Sequence, residues 1–195
     1  MNKNIILAGV GGQGILTMSG ILIRVAEKEG FNFRQSEVHG MSQRGGSVEC
    51  HIKITSDRVF SPLIPRGTCD LIIGLEPLEA LRYTEYLSKT GVIVTNSVPV
   101  KNIKNYPDHE HVLNKLKNFK RTVILDAVSM AKEAGNPYVQ NMVLLGAASP
   151  YAGLKESSFQ AVIRESFGSA GETALRANLR GFESGLEGIK MEMVA

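Results

Sequence analysis

The chain has 195 residues, 43% of them hydrophobic and 21% charged, with a formal net charge of +3. That is enough chain and enough apolar content for a full core. The mild, scattered charge, without Trp and without aromatics among the basic residues, excludes the basic stripe of a nucleic-acid binder, and Lys115, Lys117, Lys120 and Arg121 read as a solvated helix face.

From the N-terminus, Asn4–Ala8 is a short, branched-apolar run that predicts a buried parallel strand. A helix follows from about Ile15 to Glu29, with Ile15, Met18, Ile21, Leu22 and Val25 at helical spacing and Gly30 as its left-handed stop. Phe31–Val38 alternates as a second strand. Ser47–Thr55 alternates again, Val48, Cys50, Ile52 and Ile54 on one face and Ser47, Glu49, His51 and Lys53 on the other. That is a half-exposed strand, antiparallel or at an edge. Ser61–Gly67, with two prolines, is a stiff connector. Asp70–Leu75 is a buried strand, and Glu76-Pro77 opens a helix carried on by Leu78, Leu81, Arg82 and Leu87.

Gly91–Asn96 and Thr122–Asp126 are further apolar strands with polar C-terminal ends, separated by a helix ending at about Asn118. From Ala127 onward the pattern is helical. Asn141–Ala152, rich in Ala and Gly, should pack closely on a neighbour, and Phe159–Phe167 and Thr173–Glu187 complete the helices. Strands alternating with helices predict one α/β domain over 1–195: three layers, α/β/α, a mainly parallel but mixed sheet, and a helical extension from about residue 127. Cys50 and Cys69 have no CxxC company, so disulfide and zinc frameworks are disfavoured, and two cysteines are too few for an iron–sulfur cluster held by this chain alone. With no apolar run of membrane length and no leader pattern, the expectation is a soluble cytoplasmic protein with no metal site of its own.

Two glycine-rich turns carry the functional signal. Gly9-Val10-Gly11-Gly12-Gln13-Gly14 lies between a strand and a helix N-terminus, where free backbone N–H groups face an anion. It matches the GxGxxG fingerprint, and Glu37 stands near the end of the second strand where a ribose-binding acid would be, so taken alone it reads as an NAD or FAD site. Two features oppose that reading. The strand bearing Glu37 leads into a glycine loop and another strand rather than a crossover helix, and the loop itself competes for the adenosine position. For Gly9 and Gly14, close packing and an anion site stand as equal alternatives. Adjacent Gly11 and Gly12 favour the site.

The second loop, Ser36-Glu37-Val38-His39-Gly40-Met41-Ser42-Gln43-Arg44-Gly45-Gly46, sets a guanidinium beside bare glycine amides, a combination suited to holding one anion. His39 reads equally as a site or a structural histidine. The candidate binding set is Gly11, Gly12, Gln13, Gly14, Glu37, His39, Ser42, Arg44, Gly45 and Gly46. No side chain stands in a nucleophile-elbow context, and no catalytic residue is assigned.

These two loops, together with Asp70-Leu71-Ile72-Ile73-Gly74-Leu75-Glu76-Pro77-Leu78-Glu79-Ala80, resemble the gamma domain of 2-oxoacid:ferredoxin oxidoreductases. Within that family they are similar to the beta subunit of the indolepyruvate enzymes. The Arg44-Gly45-Gly46 element is common to the family, whereas Glu37–Met41 marks the arylpyruvate branch. The resemblance runs from about Asn4 into the C-terminal helices. It implies the CoA-dependent oxidative decarboxylation of a 2-oxoacid to an acyl-CoA and carbon dioxide, with two electrons passed to ferredoxin. It also implies thiamine diphosphate, magnesium and iron–sulfur clusters on a larger partner subunit, since this chain has neither a GDG-type motif nor cluster cysteines. Coenzyme A is then the leading ligand of the glycine loops, the substrate carboxylate the runner-up for Arg44 and His39, and the chain alone should be inactive. Pyruvate, 2-oxoglutarate and 2-ketoisovalerate enzymes are the alternative substrate classes, and a stand-alone nicotinamide or flavin enzyme the more distant one.

Overall fold

The computed structural model describes residues 1–39 and 45–192. In chain order these form β1 (Asn2–Val10), α1 (Ile15–Lys28), β2 (Asn32–His39), β3 (Ser47–Thr55), β4 (Cys69–Gly74), α2 (Pro77–Arg82) and β5 (Leu87–Asn96). Then come α3 (His109–Lys117), β6 (Thr122–Leu125), α4 (Ala127–Glu133), α5 (Gln140–Ala152), α6 (Glu156–Phe167) and α7 (Glu172–Glu192). The strands lie in one mixed sheet, ordered β2-β3-β1-β4-β5-β6. Strands β1, β4, β5 and β6 are parallel; β3 is antiparallel to both β1 and β2.

The central strands read as unbroken apolar runs because both their faces are covered. Ile5, Leu7, Leu71, Ile73, Val92 and Val94 face one side, where α1, α5, α6 and α7 supply Met18, Leu22, Met142, Leu145, Phe159 and Phe182. Ile6, Ile72 and Ile93 face the other, against Ala80, Val112 and Leu116 of α2 and α3. This is the expected three-layer α/β/α arrangement, and the helical last third covers the sheet. Helix α1 ends as its sequence indicates. Gly30, at φ 79°, donates to the Glu27 carbonyl at 2.9 Å and Phe31 donates to Ala26 at 2.9 Å, the paired bonds of a Schellman stop.

Two local expectations need correction. The helix opened by Pro77 stops at Arg82, and after a single 3-10 turn at Thr84–Tyr86 the chain is already in β5, where Leu87 pairs with Cys69. Leu87 matches helical spacing by coincidence; long-range pairing claims it for the sheet. His51 lies on the predicted polar face of β3 but is 6% exposed. The connector after β3 folds over it: the Ile64 amide donates to His51 Nδ1 at 3.2 Å, and the Tyr86 ring meets the imidazole edge-on. Burial, the dominant influence, holds the imidazole below its ordinary pKa and so neutral.

Candidate functional site

Helix α1 leaves β1 toward one face of the sheet, while α2 leaves the adjacent parallel strand β4 toward the other. Their divergence opens a crevice beyond the C-terminal ends of β1 and β4, the position where open α/β sheets place ligands. The first glycine turn and the exit of the second loop, Gly45–Ser47, lie there. Strand β3 runs antiparallel beside β1, pairing Val10 with Ser47, so the exit of the second loop meets the first turn. The contact is direct: the Gly11 amide donates to the Gly46 carbonyl at 2.8 Å, and the Gly45 amide donates to the Gly11 carbonyl at 3.3 Å.

That pairing revises the roles of individual glycines. The Gly11 and Gly45 amides are spent on fastening one loop to the other and are not bare donors. Gly12, at φ 100°, is exposed, a Cβ there would meet no atom within 4 Å, and its amide has no partner among the described residues. It is the position at which a ligand can approach main chain. Gly14, at φ 85°, is the N-cap of α1, but a Cβ there would stand 2.5 Å from Asn141 Nδ2 at the start of α5, so close packing also requires this glycine. Among the described residues no side chain caps α1, and its first turn holds no acid, leaving its N-terminal amides and positive dipole end toward the crevice.

Gln13 turns out to be a tether. Its Oε1 accepts from the Val10 amide at 2.7 Å and its Nε2 donates to the Leu75 carbonyl at 3.1 Å, clipping the ends of β1 and β4 together beneath the turn. Glu37 is not brought to the turn. It is half-buried on edge strand β2 opposite Cys50, with β3 between it and β1, which sets it roughly 10 Å to the side at ordinary strand spacing. A ribose-binding acid needs its strand next to β1, so the inserted antiparallel strand removes the structural basis of the NAD or FAD reading. The backbone of His39 ends β2, paired with Val48. Ser42 and Arg44 lie outside the described residues, as does the His39 side chain.

A set of polar residues with no obvious motif gathers where β4 passes into α2. Glu76, 1% exposed, caps α2 by accepting the Glu79 amide at 2.8 Å, and its second oxygen accepts the Val100 amide at 3.4 Å and the Tyr106 hydroxyl. Burial pushes the Glu76 carboxyl above its ordinary range, partly offset by these donors; burial and the adjoining carboxylate push the Tyr106 phenol up as well. Glu79, 2% exposed, accepts from Ser47 Oγ at 2.6 Å and pairs with Arg82 at 3.3 Å. Asn102 Nδ2 reaches back to the Gly45 carbonyl at 2.9 Å. The polar end of β5 had marked Asn96, whose side chain accepts from Ala127 N at 3.1 Å and Val98 N at 3.3 Å. For Glu76 and Asn102 no local signal exists beyond the Glu-Pro helix start.

These donors suit an anion. Among the described residues no three of His, Cys, Asp and Glu assemble as metal ligands. Cys50 and Cys69 are buried on opposite faces of the sheet, with burial pushing each thiol up to about 12. No described helix is long and apolar enough to cross a membrane.

The sequence pattern of the pyruvate ferredoxin/flavodoxin oxidoreductase family matches residues 4–188. The chain belongs to this family. It is 38% identical to the indolepyruvate oxidoreductase subunit IorB of Thermococcus kodakarensis, with 96% of each chain covered. It is also 38% identical to the subunit of the same name from Pyrococcus horikoshii, again over 96% of each. Its fold matches the keto/oxoacid ferredoxin oxidoreductase gamma subunit of Geobacter sulfurreducens (TM-score 0.71, 22% identity, 97% and 99% of the two chains). It also matches 31% of a chain of the Magnetococcus marinus 2-oxoglutarate:ferredoxin oxidoreductase, in a structure with 2-oxoglutarate, coenzyme A and succinyl-CoA bound (TM-score 0.76, 20% identity, 97% of this chain). As a member of the family, the chain is a subunit of a 2-oxoacid:ferredoxin oxidoreductase.

Proposed function

We propose that this subunit contributes an anion-binding wall to an arylpyruvate:ferredoxin oxidoreductase and grips the phosphates of coenzyme A, while the decarboxylation itself is carried out on a larger partner subunit. One observation carries the reading. Two glycine turns are fastened to each other at the C-terminal end of β1, against an uncapped helix N-terminus with no acid in its first turn. Phosphate oxygens accept from main-chain amides of this kind, and Arg44, adjoining Gly45, is the cation assigned to the same anion. The coenzyme A bound in the M. marinus enzyme supports that choice of ligand. The partner would hold thiamine diphosphate, the electron sink for decarboxylation, and iron–sulfur clusters, which would supply the path for two electrons to ferredoxin. This chain binds and orients, and no catalytic role is assigned to any of its described residues.

Two glycines with the same backbone demand test the reading. Gly12 (φ 100°) and Gly30 (φ 79°) both have open space where a Cβ would go, but only Gly12 is in the crevice. Alanine at either position should cost about 1 kcal/mol of backbone strain. In the complex reconstituted with its partner, Gly12→Ala should raise the KM for coenzyme A severalfold and Gly30→Ala should leave it alone. Equal coenzyme A saturation in the two variants would overturn the proposal, as would turnover of indolepyruvate by the purified chain without a partner.

A further inference from the structure

We infer that Glu76, Glu79 and Asn102 are positioning residues that lock Gly45–Ser47, the exit of the second glycine loop, in place, an inference that rests on the anion-site reading for its functional consequence. Helix N-caps are ordinarily filled by Ser, Thr, Asp or Asn, whose short side chains reach the nearby amides. Glu76 does that with one oxygen and has a second to spare, which gathers the Val100 amide and the Tyr106 hydroxyl. Both donors belong to the segment between β5 and α3. That segment is thus strapped over α2 at two points, with Asn102 between them. Asn102 is fixed at its own amide, which donates to the Val100 carbonyl at 2.8 Å, and its side chain holds the Gly45 carbonyl at 2.9 Å.

One turn along α2, Glu79 holds Ser47, the first residue after the loop, at 2.6 Å. Two carboxylates nine-tenths buried are costly unless their oxygens are satisfied. Here the donors that satisfy them include the segment between β5 and α3 and the residue at the loop exit. The loop exit Gly45–Ser47 is therefore fastened on three sides: to Gly11, to Asn102 and to Glu79. In the sequence this exit directly follows Arg44, the cation assigned to the anion.

The test uses the full chain and then its complex. Asn102→Ala and Asn102→Asp both remove the donor to Gly45, the second without changing size. Each should speed hydrogen exchange at the Gly11 and Gly45 amides about tenfold, the loss expected for one intramolecular hydrogen bond. Asn102→Gln, which keeps a donor, should restore part of the protection. In the complex the first two variants should raise the KM for coenzyme A several-fold with kcat unchanged. Unchanged exchange, or an Asn102→Asp variant as protected as wild type, overturns the lock. Faster exchange with an unaltered KM upholds the lock and removes coenzyme A from this loop.

Discussion

Helices α5 and α7 cross so closely that each places a glycine against the other's backbone. A Cβ built on Gly146 would lie 1.9 Å from the Phe182 carbonyl oxygen, and one on Gly185 would lie 1.9 Å from that of Val143. Ordinary contact for a Cβ begins at 3.4 Å, so an alanine at either position must drive the helices apart by about 1.5 Å, against backbone atoms that cannot rotate away. A gap of even half to one ångström forfeits about a quarter to a half of the dispersion energy of the atoms it separates. Phe182, whose carbonyl faces Gly146, also stacks on Phe159 of α6 with ring centroids 5.6 Å apart, so a shift of α7 disturbs that contact too. We expect Gly146→Ala or Gly185→Ala to lose about 3 kcal/mol, the upper part of the range for an overpacked core. Helix propensity alone argues the opposite sign, since alanine is better than glycine by about 1 kcal/mol. Gly20→Ala in α1, where no atom lies within 4 Å of the added carbon, isolates that term and should be stabilising. Urea unfolding followed by far-ultraviolet circular dichroism reads all three, and a 3 kcal/mol loss corresponds to a drop in Tm of about 6–12 °C for a chain this size. The double variant should cost less than the sum, because the first alanine opens the gap that the second needs. A Gly146→Ala or Gly185→Ala chain as stable as wild type would refute the close crossing. The consequence reaches the site, because α5 begins with Gln140-Asn141 and Asn141 Nδ2 contacts the Gly14 carbonyl at 3.4 Å.

Gln13→Ala should destabilise the chain by about 2 kcal/mol, by leaving the Val10 amide and the Leu75 carbonyl without their shared partner. Gln13→Glu keeps the acceptor and loses only the donor, so its urea midpoint should fall between wild type and Gln13→Ala; a Glu variant as stable as wild type would show that the bond to Leu75 contributes nothing. For Glu76, burial raises the carboxyl above its usual value of 4.5, so the folded chain keeps a proton that the unfolded chain has released. The favourable contribution of that group is complete below pH 4.5 and fades as the pH rises through the folded value. Glu76→Gln cannot titrate, and it keeps only one of the two oxygens that accept from the Glu79 amide and from Val100 and Tyr106. Its stability deficit relative to wild type should therefore shrink between acid and neutral pH; a deficit that is constant with pH, measured by urea unfolding, would contradict the raised carboxyl.

Much of the architecture was legible before any coordinates. Short apolar runs marked the core strands, and helical spacing marked α1. The absence of a crossover helix after β2 marked the hairpin that breaks a dinucleotide fold. The close packing of the Ala- and Gly-rich stretch at 141–152 was readable from composition, though the partner, α7, was not. What could not be read were roles that depend on distant residues. Glu76 is an ordinary helix-start acid until Tyr106, thirty positions later, returns to it. Asn102 is one polar residue in a polar stretch until Gly45 is placed beneath it. Leu87 and His51 were misassigned for the same cause, since their environments are supplied by Cys69 and by Ile64 and Tyr86.

By itself, the amino-acid order determined an α/β chain with two glycine turns, the candidate anion site, because backbone freedom and apolar periodicity are local properties. Only tertiary structure decided which amides remain available there. Strand β3 slots in beside β1, spends the Gly11 and Gly45 amides on joining the two turns, and leaves Gly12 and the start of α1 to face the crevice. The physical reason is that a hydrogen-bond donor's availability depends on which acceptor the rest of the fold brings within reach, and spacing along the chain carries no record of that.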